Sequence, residues 1–241
     1  MSIYQGLASI HIATGVIALI TFWIAGLAKK GSPVHKGAGK AYLIAMSGIV
    51  ATGLPLSLLI LAAGKLVIGG FLLYLVLIVA SGLWQAWRAI RDKRDWARYT
   101  GPVYRALTWL NLAGALGIVV LGVFFARQMQ LVIVSFSAIG FLGFFQMRRF
   151  ARSAPTDPRW WLSEHMGAML GNAAATHIAF LAVGLPRLVP ALANPLWVNI
   201  AWLGPLAMVF VARAWLNRKY LPKRTPGPAS PGRTTPLAAA P

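Results

Sequence analysis

Two kinds of side chain are missing or nearly so. Cysteine is absent from all 241 positions, which excludes disulfides, thiolate nucleophiles and Cys-based zinc or iron–sulfur sites. Aspartate and glutamate number four against 23 lysines and arginines, and only one acid, Glu164, falls inside a long apolar run, so a relay of paired intramembrane carboxylates is out of reach. Charged residues make up 11% of the chain, where a soluble protein carries roughly a quarter. HExxH, the Walker A loop, the nucleophile elbow and the dinucleotide fingerprint are all absent. The chain therefore has no recognisable catalytic motif, and a non-enzymatic role is favoured. Met1 to Ile10 has no basic start, so a cleaved signal peptide is not expected and the first apolar segment should persist as a helix.

What the chain has is apolar length. It is 58% hydrophobic, and seven runs match a hydrocarbon core that takes about 20 helical residues to cross. They cover Gly6 to Leu27, Lys40 to Ala63, Leu66 to Trp87, Arg105 to Ala126, Gln130 to Met147, Trp160 to Leu185 and Trp197 to Leu216. The second and third, and the fourth and fifth, are joined by turns so short that they should be antiparallel neighbours. The fold class expected is an all-α integral membrane protein, a seven-transmembrane-helix bundle over 1–220, with a disordered proline-rich tail over 221–241. Of the 23 basic residues, all but Lys65, Arg127 and Arg187 lie in alternate connections and at the end of the chain. By the positive-inside rule this puts the N-terminus outside and the C-terminus in the cytoplasm, in a bacterial cytoplasmic (inner) membrane. The net charge of +19 does not point to nucleic acid, because the basic residues sit in short blocks between apolar runs. The partner expected is the lipid bilayer, and the oligomeric state is left open. Trp84, Trp87, Trp160, Trp161, Trp197 and Trp215 cluster near helix ends as an aromatic belt would. Pro55 and Gly204-Pro205 are expected to kink their helices.

The first segment and its loop read HIATGVIAL and then KKGSPVHKGAGKAYLIAM. This resembles a family of bacterial multi-pass membrane proteins known as domain of unknown function 2306, at His11, Gly15, Lys30, Gly31, Ser32, His35, Lys36, Gly39, Lys40, Tyr42 and Met46. The sixth segment resembles the family's C-terminal part at His165, Met166, Met169, Gly171, Ala175 and Phe180. His177 departs from the pattern, where an apolar residue or threonine is expected. The resemblance covers the first two and last two segments; it implies a membrane fold and carries no activity with it.

The sixth segment is the natural place for a site, since ionisable groups inside a span usually face the protein interior or a hydrated cavity. It holds Glu164, His165, Asn172, Thr176 and His177. Ser32-Pro33 reads as an N-cap with proline at the first helical position, placing His35 in the first turn; Thr156-Asp157-Pro158 gives the same signal before the sixth helix. His35, Glu164 and His165 should thus share the cytoplasmic end. His165, Met169, Asn172 and Thr176 fall on one line of the sixth helix, and Tyr74, Ser81 and Gln85 on one line of the third. Two such stripes would enclose a polar cavity, and a small-molecule site lined by His35, Glu164, His165, Met169, Asn172 and Thr176 is the favoured reading; interhelical bonding that merely holds the bundle is the alternative. A second alternative stacks His35 with His165 and His11 with His177 as ligands of haem or a divalent metal, in a redox protein. Against that pairing, His165 and His177 differ by about 120° in azimuth. A third is a structural or assembly partner. Gly167, Gly171 and Ala175 form a small-residue face suited to helix packing.

Overall fold

The computed structural model describes residues 2–127 and 129–221, so all but the first residue of the expected proline-rich tail lies outside the described residues. Seven helices are long and apolar enough to cross a membrane: α1 (Ile3–Leu27), α2 (Pro33–Ala62), α3 (Leu66–Arg91), α4 (Pro102–Phe125), α5 (Gln130–Arg152), α6 (Trp160–Leu188) and α7 (Pro195–Tyr220). No strand occurs among the described residues.

The ends are set by local chemistry more than by hydropathy. α2 starts seven residues before its apolar run because Ser32 caps it: the hydroxyl accepts from the His35 N–H at 3.2 Å, and Pro33 fills the first turn. Its 30 residues span about 45 Å, more than a hydrocarbon core of about 30 Å. The cap expected before α6 does not form. Asp157 accepts from the Arg159 N–H at 2.8 Å and from its guanidinium at 3.1 and 3.2 Å; this charge-assisted turn takes the carboxylate away from capping, and α6 begins at Trp160. At its far end α6 passes through a π-helical turn, Phe180–Gly184, and continues to Leu188. α4 ends in a similar turn, Leu121–Phe125. A one-turn helix that the hydropathy pattern does not announce, Trp96–Tyr99, links α3 to α4 and is capped by Asp95. α2 and α7 run on through Pro55 and Pro205.

α3 and α6 form the centre. α3 packs against α2, α4 and α6; α6 packs against α3, α7 and α1; α1–α2, α2–α3 and α4–α5 are neighbouring pairs. One apolar cluster (Phe71, Phe136, Ile178 and Trp202) joins α3, α5, α6 and α7, and a second (Ala18, Tyr42, Met46 and Val79) joins α1, α2 and α3. The outside remains apolar, with Ile20, Leu116, Phe145 and Phe210 exposed. With the helices satisfying their own backbone polar groups, such a surface suits lipid.

Two side chains wedge into the backbone of a neighbouring helix. Tyr74 of α3 donates its hydroxyl proton to Phe136 O (2.9 Å) and accepts from the Gly140 N–H (3.0 Å), straddling one turn of α5. Asn172 of α6, oriented so that both amide atoms are satisfied, donates to Val79 O (3.2 Å) and accepts from the Leu83 N–H (3.0 Å), straddling one turn of α3. Each wedge needs a glycine beneath it. A Cβ at Gly140 would lie 2.6 Å from the Tyr74 hydroxyl, and one at Gly82 would lie 3.1–3.3 Å from the Asn172 amide.

Candidate functional site at the basic end of the bundle

The basic connections converge. Lys30, after α1, donates to the last carbonyls of that helix at Ala25 (3.0 Å) and Gly26 (2.5 Å), as basic side chains do at helix C-termini. Burial, helped by the nearby Lys219 ammonium at the end of α7, holds Lys30 below the ordinary lysine range. His35, in the first turn of α2, bonds through Nδ1 to the same Ala25 carbonyl at 2.9 Å. His165, in the second turn of α6, bonds through Nδ1 to Ala86 O of α3 at 3.0 Å, and the two imidazoles are close enough to interact electrostatically. A carbonyl oxygen only accepts, so both Nδ1 atoms carry a proton. In the neutral rings Nε2 is then a free lone pair, and among the described residues neither Nε2 has a hydrogen-bond partner.

Glu164, next to His165, turns toward a different set of groups. Its Oε2 accepts from the Tyr99 hydroxyl at 3.1 Å, and the Arg213 guanidinium of α7 is its opposite charge. Arg213 lies over Gly167, where a Cβ would come within 3.4 Å of its Cζ, and donates to Gln146 of α5 at 3.3 Å. Tyr99 is fully buried in an aromatic box with Trp84, Tyr104, Phe150 and Trp160. Burial first, then the Glu164 and Tyr104 neighbours, push its phenol far above the ordinary tyrosine range.

Of the residues singled out from the sequence, His35, Glu164 and His165 are thus brought to one end. Met169, Asn172 and Thr176 are packed between helices. Thr176 donates to Asn172 O (2.9 Å), meets the Tyr42 hydroxyl at 3.2 Å and the Met46 sulfur at 3.5 Å; Met169 packs on the Tyr42–Val79 cluster. The second stripe does not face the first across a cavity. Tyr74 bonds to α5, Ser81 accepts from Asn111 of α4 at 3.0 Å, and Gln85 donates to the Met147 sulfur of α5 at 3.7 Å. Because α3 is central, its polar line faces α4 and α5 while α6 covers another side.

The outer histidine pair is not formed either. His11 donates through Nδ1 to the Thr52 hydroxyl (2.9 Å), whose own proton goes to Gly48 O (2.7 Å). His177 bonds to Ala173 O through Nδ1 (2.7 Å) and accepts the Trp23 indole N–H on Nε2 (3.1 Å). Trp23 is twelve residues beyond His11 on the same helix, roughly 18 Å along it. The misplacement follows from where α1 meets α6: His177 packs on Phe22 and Trp23, near the end of α1. Among the described residues no three His, Cys, Asp or Glu side chains gather as a metal site. On the small-residue face, Gly171 has open space rather than a neighbouring helix beside it.

Tyr99, Tyr104, Arg213 and Gln146 are the members of this end that sequence reading misses. Arg213 carried a signal, being the one arginine inside the seventh apolar run. Compared with protein-family models, curated proteins and solved structures, the chain matches none.

Proposed function

We propose that this is a bacterial cytoplasmic-membrane protein that binds a small polar solute, as a receptor or carrier, at a site near its cytoplasmic face. The observation that carries the reading is the gathering at one end of the bundle of Glu164, the single carboxylate in any span, held by Tyr99, and of His165 and His35, two imidazoles that have an unused Nε2. Carboxylate and imidazole lone pairs accept protons from the solute, while Arg213 and Lys30 offer donors. This donor and acceptor mixture suits a solute carrying both kinds of group better than a purely apolar one. Met169, Asn172 and Thr176 support the site by fixing α6 against α2 and α3. The positive-inside rule sets the orientation, with the basic end in the cytoplasm.

The test is a melting-point screen of the detergent-purified protein against amino acids, amines and small carboxylates. A solute that binds the native state raises the midpoint, by about 2.7 kcal/mol of stabilisation at a hundred times its dissociation constant. The expected result is a hit whose effect is lost in both Glu164→Gln and His165→Ala. A panel with no hit, or hits indifferent to both substitutions, overturns the proposal. An absorption spectrum and metal assay of the same preparation separate the redox alternative, which requires a Soret band or stoichiometric metal.

A further inference from the structure

Beside that site, on the other face of Trp84, two clefts adjoin at the Trp84–Arg88 pair, with the Arg88 guanidinium 5.3 Å from the Trp84 ring. The first, about 260 Å³, runs between α2 and α3 and is lined by Ser47, Ala80, Leu83, Trp84, Trp87 and Arg88. From Arg88 to Ala80 it follows α3 inward for about 12 Å. The second, about 280 Å³, lies at the mouth of the first, where Arg98 and the start of α4 join Arg88. Both arginines lean on one carboxylate: buried Asp92 is paired with Arg88 and is 3.5 Å from Arg98. Two guanidiniums on one acid leave a net positive charge at the mouth. The charge is presented outward, since the Arg98 side chain is 63% exposed. Trp87, 43% exposed beside it, is the residue type that sits at headgroup level.

A basic mouth leading to an apolar slot that runs along two membrane helices has the shape and polarity of one amphipathic anion. We propose that this cleft holds an anionic phospholipid of the surrounding bilayer, its phosphate on Arg88 and Arg98 and one acyl chain between α2 and α3 past Ser47 and Ala80. Charge complementarity selects the headgroup, and the depth of the slot selects a molecule with a tail.

Native mass spectrometry of the detergent-solubilised protein, offered an equimolar mixture of phosphatidylglycerol and phosphatidylcholine, tests this. The expected result is one retained phosphatidylglycerol in preference to phosphatidylcholine. Arg98→Gln should cut that preference by about fivefold, as loss of one basic contact at a membrane surface does. Ser47→Trp, on a lipid-facing position of α2, should block the slot and lower retention of the lipid itself. Arg94→Gln removes an equal charge from the same connection outside the cleft and should change nothing. The proposal is overturned by equal retention of the two lipids, by Arg94→Gln acting as strongly as Arg98→Gln, or by unchanged retention in Ser47→Trp. Displacement of the lipid by excess glycerol phosphate would reduce the site to a headgroup contact and overturn the tail assignment.

Discussion

Each of the four imidazoles has its Nδ1 proton committed: three to a backbone carbonyl, at Ala25, Ala86 and Ala173, and His11 to Thr52. This fixes ring orientation in the way a supporting residue fixes a metal-bound histidine, and it leaves the choice of ligand to Nε2. His177 has used that atom on Trp23, which sets it apart from His35 and His165. Tyr99 gives a prediction at the same scale. Its phenol is raised in the folded state, so the stability tied to its proton is fully present below the unfolded value of about 10 and is lost as pH rises above it. Each unit above about 10 should remove about 1.4 kcal/mol through this group. Denaturation midpoints measured from pH 9 to 11 should therefore fall less steeply in Tyr99→Phe than in the wild type; parallel slopes would contradict the burial of this phenol. Residue identity made some of this legible. Ser32-Pro33 placed His35 in a first turn, and the helical period put His165 and Asn172 on one face. Nothing local could reveal that Tyr99, 65 residues before Glu164, supplies its hydrogen bond.

Among the elements, α3 shows how far periodicity reaches. The line of Tyr74, Ser81 and Gln85 was readable from spacing alone, but spacing does not say which neighbour a polar line meets. In a bundle whose third helix touches most of the others, that question belongs to tertiary packing. Several helices run past their apolar segments, to Arg91, Arg152 and Tyr220, because hydropathy measures the apolar part of a helix and not where its hydrogen bonding ends; the starts of α2 at the Ser32 cap and of α6 at Trp160 were legible in the sequence. The Tyr74 wedge can be tested by Gly140→Ala. The added methyl would meet the Tyr74 hydroxyl, Asn111 O and the Ala115 methyl within 2.9 Å, an overpacking that should cost about 2 kcal/mol in a detergent-denaturation assay. Gly171→Ala, with nothing within 4 Å, should stay within about 0.5 kcal/mol of wild type. Helix propensity alone favours alanine at both positions, so a Gly140→Ala variant as stable as Gly171→Ala would show that the wedge does not need its glycine.

For the whole molecule, the contacts of Lys30, His165, Tyr99 and Arg213 gather the α1–α2, α3–α4 and α5–α6 connections and the end of α7 at one pole. Those are the connections that carry the basic blocks, which is why the charge asymmetry agrees with the count of seven read from the apolar runs. Reporter fusions should place the 92–101 connection in the cytoplasm and the 189–194 connection in the periplasm. The reverse result would move the proposed solute site to the other side of the membrane. Finally, the amide of Asn172 grips α3 through both its hydrogen-bonding atoms, and that grip restricts how the protein can change shape. Sliding or rolling α6 against α3 would strip two bonds at once, in surroundings where water is not at hand to replace them. These two helices should therefore travel as a single rigid post. A change of shape in the bundle is then left to the helices around that post, such as α7, which meets α6 but is not held by this amide.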